Sequence, residues 1–262
     1  MSELVIIKHA TNGVTTLTLN RPDQHNAMNE HLIASLSYAL NQCRDNPSIK
    51  VIVLNANGPS FCSGADLNTM QRMVDFTEQE NIDDALSLAS LLRKLYEYPK
   101  PTIASIQGPA YGGGLGLVAC CDLAIATEDV HFCFSEVKLG LIPAMISPYV
   151  VVAMGTRICQ RYFLTAERFS ATQALKHGLI QAIAQPLNLE VETQVLVDQL
   201  LKNSPAALTA CKTLLRDLSI CSQECDRNLA TRLAQIRVSE EAQEGLCAFL
   251  EKRVPNWRGS LK

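Results

Sequence analysis

Three short segments hold residues whose types and spacing suit one chemistry. The first is Ser60-Phe61-Cys62-Ser63-Gly64-Ala65-Asp66-Leu67. An apolar run ends there, a turn of small residues follows, and Asp66 opens a helical stretch. Small residues let backbone N–H groups approach a ligand closely, and a turn entering a helix N-terminus points donors outward. The second is Gly108-Pro109-Ala110-Tyr111-Gly112-Gly113-Gly114-Leu115-Gly116-Leu117. It has no Lys-Ser/Thr pair after the glycines, so it is not a nucleotide P-loop. It also comes too late in the chain, and lacks the following acidic residue, for a dinucleotide fingerprint. Two such turns together could cradle one oxygen that becomes negative, which is an oxyanion hole. The third is Phe132-Cys133-Phe134-Ser135-Glu136-Val137-Lys138-Leu139-Gly140-Leu141-Ile142-Pro143. Apolar surroundings raise a carboxyl pKa and suit Glu136 to proton transfer. The same pattern also reads as an exposed helix start, or as a Glu136–Lys138 pair, and the residues alone leave these readings open.

These segments need elements to position them. LVIIKH and GVTTLTLN read as strands around the turn signal Thr11-Asn12-Gly13. A helix from Asn29 to Cys43 follows, with Leu32, Leu36, Ala39 and Leu40 on one face and Asn29 as its cap. VIVLNA reads as a strand buried on both faces. A helix over Asp84 to Tyr96, the strand PTIASIQG, the helix GGGLGLVACC and the strand DLAIAT continue the alternation. Strand–helix alternation predicts an α/β fold around a parallel sheet. From about Asn188 to Arg253 nearly everything reads as helix. The expected division is therefore a core over residues 1–195 and a helical lobe over 196–262.

Composition narrows the function classes. The chain has 262 residues, 47% hydrophobic and 19% charged, with a net charge of -3. That is a globular composition, and it lacks the basic field expected of a nucleic-acid binder. No apolar run has membrane-spanning length, and the N-terminus lacks the basic start and cleavage site of a secretory signal, so a cytoplasmic location is expected. The ten cysteines include no CxxC pair and read as buried reduced thiols. The five histidines do not cluster, and neither a metal site nor a cofactor is expected.

Taken together, Cys62-Ser63-Gly64-Ala65-Asp66, the run Gly112-Gly113-Gly114 with Ala119-Cys120-Cys121-Asp122, and Ser135 through Pro143 resemble the enoyl-CoA hydratase/isomerase (crotonase) superfamily. The resemblance extends from Leu19-Asn20-Arg21-Pro22 and Asn26-Ala27-Met28 to Glu244-Gly245 and Ala248 through Arg253. It implies a crotonase-like ββα spiral core with a C-terminal helical lobe that trimerises, giving a homotrimer or a hexamer. It implies an acyl-CoA thioester as substrate and partner, with the N–H groups of Ala65 and Gly113 holding the thioester oxygen and Glu136 moving a proton. Ser63, Asp66, Leu67, Tyr111, Gly112, Gly116 and Ala144 would line the substrate, with Asp66 anchoring a helix start. Met70 and Met73 would shape the acyl pocket, and Phe249 and Lys252 would reach the CoA nucleotide.

One position departs from the two-carboxylate hydratases: where they carry a second acid, this chain has Gly116. One carboxylate suits a Δ3-Δ2-enoyl-CoA isomerase. A finer resemblance favours hydration. Tyr111 through Asp122 and Leu141 through Val150 are similar to bacterial methylglutaconyl-CoA hydratases of leucine breakdown, which share the glycine. Hydration of a branched glutaconyl-type 2-enoyl-CoA is therefore the expected reaction. The substrate's own carboxylate would then help position water.

Overall fold

The computed structural model describes residues 3–217 and 223–255. Among the described residues there are nine strands: β1 (Val5–His9), β2 (Val14–Leu19), β3 (Val51–Ala56), β4 (Thr102–Ile106), β5 (Ala110–Tyr111), β6 (Leu123–Thr127), β7 (His131–Cys133), β8 (Phe169–Ser170) and β9 (Ala182–Ala184). The helices are α1 (Glu30–Arg44), α2 (Leu67–Met73), α3 (Glu78–Tyr96), α4 (Gly113–Cys120), α5 (Ser147–Met154), α6 (Thr156–Thr165), α7 (Ala171–Lys176), α8 (Leu189–Leu201), α9 (Pro205–Asp217), α10 (Gln223–Arg237) and α11 (Glu240–Leu250).

Two sheets organise them. The larger has the order β1-β2-β3-β4-β6-β9, the smaller β5-β7-β8. In the larger sheet only β1 runs antiparallel, pairing Val5 with Leu19, and every later pairing is parallel. The turn between β1 and β2 needs Gly13, whose φ of 91° lies in the left-handed region. The central strands β3 and β4 are apolar because both faces are covered. On one face sit α1, α3 and α4. On the other, Leu189 and Val197 of α8 pack against Val14, Val51, Val53 and Ile103. The expected division at 195/196 thus falls inside α8.

Local signals explain the helix limits. Asn29 accepts a hydrogen bond from the Leu32 N–H and starts α1. Helix α3 begins at Glu78, six residues before the expected Asp84. Its first turns are polar and carry no apolar period, but Thr77 and Glu80 form a reciprocal capping box that nucleates it. Helix α4 is apolar all round because it is buried all round.

The C-terminal helices pack on the body. Ala230, Leu233 and Ala234 of α10 join the main core beside α3. On α9, Lys212 Nζ reaches Asp122 Oδ2 at 2.5 Å and the Lys100 carbonyl at 2.9 Å. Cys43, Cys62, Cys120, Cys133 and Cys159 are buried, while Cys211 is exposed. The side chains of Cys221 and Cys225 lie outside the described residues. Among the described residues no helix is long and apolar enough to cross a membrane.

Candidate active site

Backbone hydrogen bonds stitch the three chemistry-bearing segments together. The N–H groups of Phe61 and Cys62 donate to the Pro109 carbonyl at 3.1 and 3.3 Å, and Tyr111 N–H donates back to the Cys62 carbonyl at 2.9 Å. Gly112 N–H donates to the Cys133 carbonyl at 3.1 Å, tying the glycine turn to the segment that carries Glu136. A fourth segment joins from the other side. Met28 N–H donates to the Gly64 carbonyl at 2.7 Å, and Asp66 N–H donates to the Met28 carbonyl at 2.9 Å. Ala65 is thereby held on both flanks.

Close approach explains the glycines. Gly112 has a φ of 48°, and a Cβ there would lie 3.2 Å from Glu136 Oε1. A Cβ at Gly114 would lie 2.6 Å from the Cys62 carbonyl oxygen. Only glycine allows the two turns and the acid to come this close.

The resulting cavity holds about 780 Å³, and Ala65, Gly113 and Glu136 all line it. Ser63, Leu67, Tyr111, Gly112 and Ala144 line it as well. The N–H of Ala65 has no hydrogen-bond partner among the described residues, nor does that of Gly113. Gly113 is the first residue of α4, where no intrahelical acceptor exists. Glu136 starts a 3-10 turn, Glu136–Leu139, that Gly140 closes in the left-handed region with a φ of 71°. Its Oε2 is shielded from solvent and has no partner. Burial raises its pKa to about 7, partly offset by a hydrogen bond from its own backbone N–H. The Glu136–Lys138 pairing that the sequence left open does not form. The other acids of the wall differ: Asp84 pairs with Arg237 at 3.0 Å, and Asp23 is exposed.

Two expected substrate-lining residues stand outside the cavity wall. Asp66 is buried and turned away. Its Oδ1 accepts hydrogen bonds from the Asn68 and Thr69 N–H groups, and its Oδ2 accepts one from Arg21 at 2.9 Å. It therefore caps α2 and fixes the turn that carries Ala65. Gly116 lies in the core, one turn into α4. A Cβ there would sit 2.5 Å from Ile146 Cγ2 and 3.1 Å from Leu92 Cδ2. The space of an acid at this position is filled by Ile146.

Met70, Met73 and Phe249 line the cavity, whereas Lys252 does not. Several wall residues gave no signal of their own in the sequence. His25, whose Nδ1 lies 2.9 Å from Ser60 Oγ, is one. Met28, Leu88, Ile146 and Arg237 are others. Met28 belongs to the motif at Asn26-Ala27-Met28, which marks it without assigning a role.

Unpaired backbone donors beside one buried acid can hold an oxygen that gains charge and move a proton next to it. That is the equipment of an enzyme that activates a carbonyl compound. The comparisons give the class its family. The sequence pattern of the enoyl-CoA hydratase/isomerase family matches residues 9–260, and the chain belongs to that family. A solved enoyl-CoA hydratase from Shewanella pealeana is 45% identical, with a TM-score of 0.80 over 97% of this chain and 96% of that one. One from Mycobacterium avium is 36% identical, with a TM-score of 0.85 over 98% and 100%. The 2,3-dehydroadipyl-CoA hydratase of Escherichia coli is 33% identical over 265 residues, which cover 99% of this chain and 100% of the relative. The α/β architecture is that of the crotonase fold.

Proposed function

We propose that the protein is an enoyl-CoA hydratase, a carbon–oxygen lyase that adds water across the 2,3 double bond of a 2-enoyl-CoA. The observation that carries this reading is the shared cavity of Glu136 and the unpartnered N–H groups of Ala65 and Gly113. Those N–H groups would donate hydrogen bonds to the thioester oxygen as the enolate forms, a contribution worth about 3–4 kcal/mol per donor. Glu136, ionised, takes a proton from water as the water oxygen bonds to C3. The same carboxyl then returns the proton to C2. No cofactor takes part, since the substrate brings its own coenzyme A.

The fine specificity proposed is a branched, glutaconyl-type acyl group with a distal carboxylate. The E. coli relative, named for a dehydroadipyl thioester, supports a dicarboxylyl chain. Turnover of glutaconyl-type against crotonyl thioesters tests this, and equal turnover of both refutes it.

A second reading is favoured by Gly116, because hydration is then left with one buried acid. As a Δ3-Δ2-enoyl-CoA isomerase, Glu136 would take a proton from C2 and return it to C4. Loss of enoyl absorbance with a 2-enoyl-CoA in water supports the hydratase. Conversion of a 3-enoyl-CoA to a 2-enoyl-CoA without water addition overturns it. A homotrimer or hexamer in the cytoplasm is part of the proposal. The exposed Val152, Leu164 and Leu175 supply apolar surface for an assembly.

A further inference from the structure

Beyond the reaction centre, the cavity wall ends in an ion pair that none of the chemistry above uses. Helix α3 orders this part of the wall. Leu92 faces Gly116, and Leu88 Cδ2 lies 3.8 Å from where a Cβ on Gly113 would be. Asp84 is the next residue on that face, about 5–6 Å further along the helix. It meets Arg237 of α10, whose Nη1 lies 3.0 Å from Asp84 Oδ2 and 3.4 Å from Asn81 Oδ1. Asp84, Leu88, Leu233 and Arg237 line the same cavity as Glu136.

The guanidinium is only partly used. Arg237 keeps 11% of its side chain exposed, and its Nε is buried without a partner. No described residue accepts from Nη2 either. The Nε and Nη2 N–H groups form one edge of the planar fork, the edge that takes a carboxylate through two parallel hydrogen bonds. A buried donor left unsatisfied is unfavourable, and an incoming acceptor relieves it.

We propose that Arg237 is a specificity-determining residue that receives a carboxylate at the far end of the acyl chain, with Asp84 and Asn81 holding its other edge. This rests on the acyl-CoA reading above. With its thioester at Gly113, a dicarboxylyl chain would run along the α3 side of the cavity, past Leu88 toward Asp84 and Arg237, which line the same cavity. The Met28, Leu88 and Leu233 side chains would cover its methylenes.

Binding of saturated thioesters tests the assignment without turnover, so a failure of the hydratase reading shows separately in the water-addition assay. Calorimetry compares adipyl-CoA with hexanoyl-CoA on the full-length protein. The wild type is expected to prefer adipyl-CoA by about tenfold or more, as befits hydrogen bonds to a charged group. In Arg237→Met, and in Arg237→Met combined with Asp84→Asn so that no lone acid remains, the ratio should fall to near one. A wild type without preference overturns the proposal, and so does a preference that survives in both variants. Far-ultraviolet circular dichroism identifies a variant that has not folded. Arg237→Lys, which keeps the charge and loses the fork, then serves as the second variant. It should lose most of the preference, and full retention overturns the proposal.

Discussion

Glu136→Gln separates the catalytic role of this acid from its effect on stability. An acid whose folded pKa is raised favours its neutral form in the fold. Between the ordinary value of 4.5 and about 7, the folded chain therefore binds more protons than the unfolded one. Stability falls as pH rises through that window, and the full penalty is present above it. The interval from 4.5 to about 7 corresponds to about 3 kcal/mol. Glutamine is neutral at every pH and nearly the same shape. At pH 8 the variant should be more stable than the wild type by up to about 3 kcal/mol, which for a chain of this size is about 6–12 °C in Tm. At pH 4.5 to 5 the two should nearly coincide. Urea denaturation at pH 5 and pH 8 reads the difference. Activity should move in the opposite direction and fall at least about 10²-fold, as expected for loss of a general acid–base group. A stability difference that is the same at both pH values would refute the burial argument. A variant that turns over normally would remove Glu136 from the mechanism.

Because the proposed cycle starts from ionised Glu136, kcat/KM of the wild type should rise with pH through a midpoint near 7; a flat profile between pH 6 and 8 counts against it. Gly116→Ala should destabilise the fold by about 1–3 kcal/mol through overpacking against Ile146, and Ile146→Ala in the same chain should recover part of that loss in a denaturation series. Asp66→Ala removes the cap of α2 and the partner of Arg21. It should lower kcat more than KM, because the Ala65 turn loosens, and should cost about 1–3 kcal/mol in stability. Among the described cysteines, exposed Cys211 should react first with a thiol reagent. Cys62, buried and with its pKa pushed up to about 12, should stay unmodified in the folded chain, as read by peptide mass.

Much of the fold was legible because local physics decides it. Asn29 caps α1 as its side-chain chemistry requires, and the apolar runs of β3 and β4 announce strands covered on both faces. The glycines at 112–114 and the small residues at 63–65 likewise marked two turns built for close approach. The short elements between Ala144 and Asn188 carried too little period to be read. The start of α3 was missed because its first turns are polar and its signal was a cap.

What the sequence by itself determined is the set of parts: two donor-bearing turns, one acid among apolar residues, and the alternation that makes an α/β chain. Tertiary structure alone decided how they meet. The Pro109, Cys62, Cys133 and Met28 backbone bonds bring segments far apart in sequence to one wall. Packing against Ile146 turned Gly116 from a candidate substrate contact into a core residue, and the capping bonds turned Asp66 inward. Arg237 reached the cavity only because α10 lies along α3, a contact across roughly half the chain that no local pattern of residues encodes.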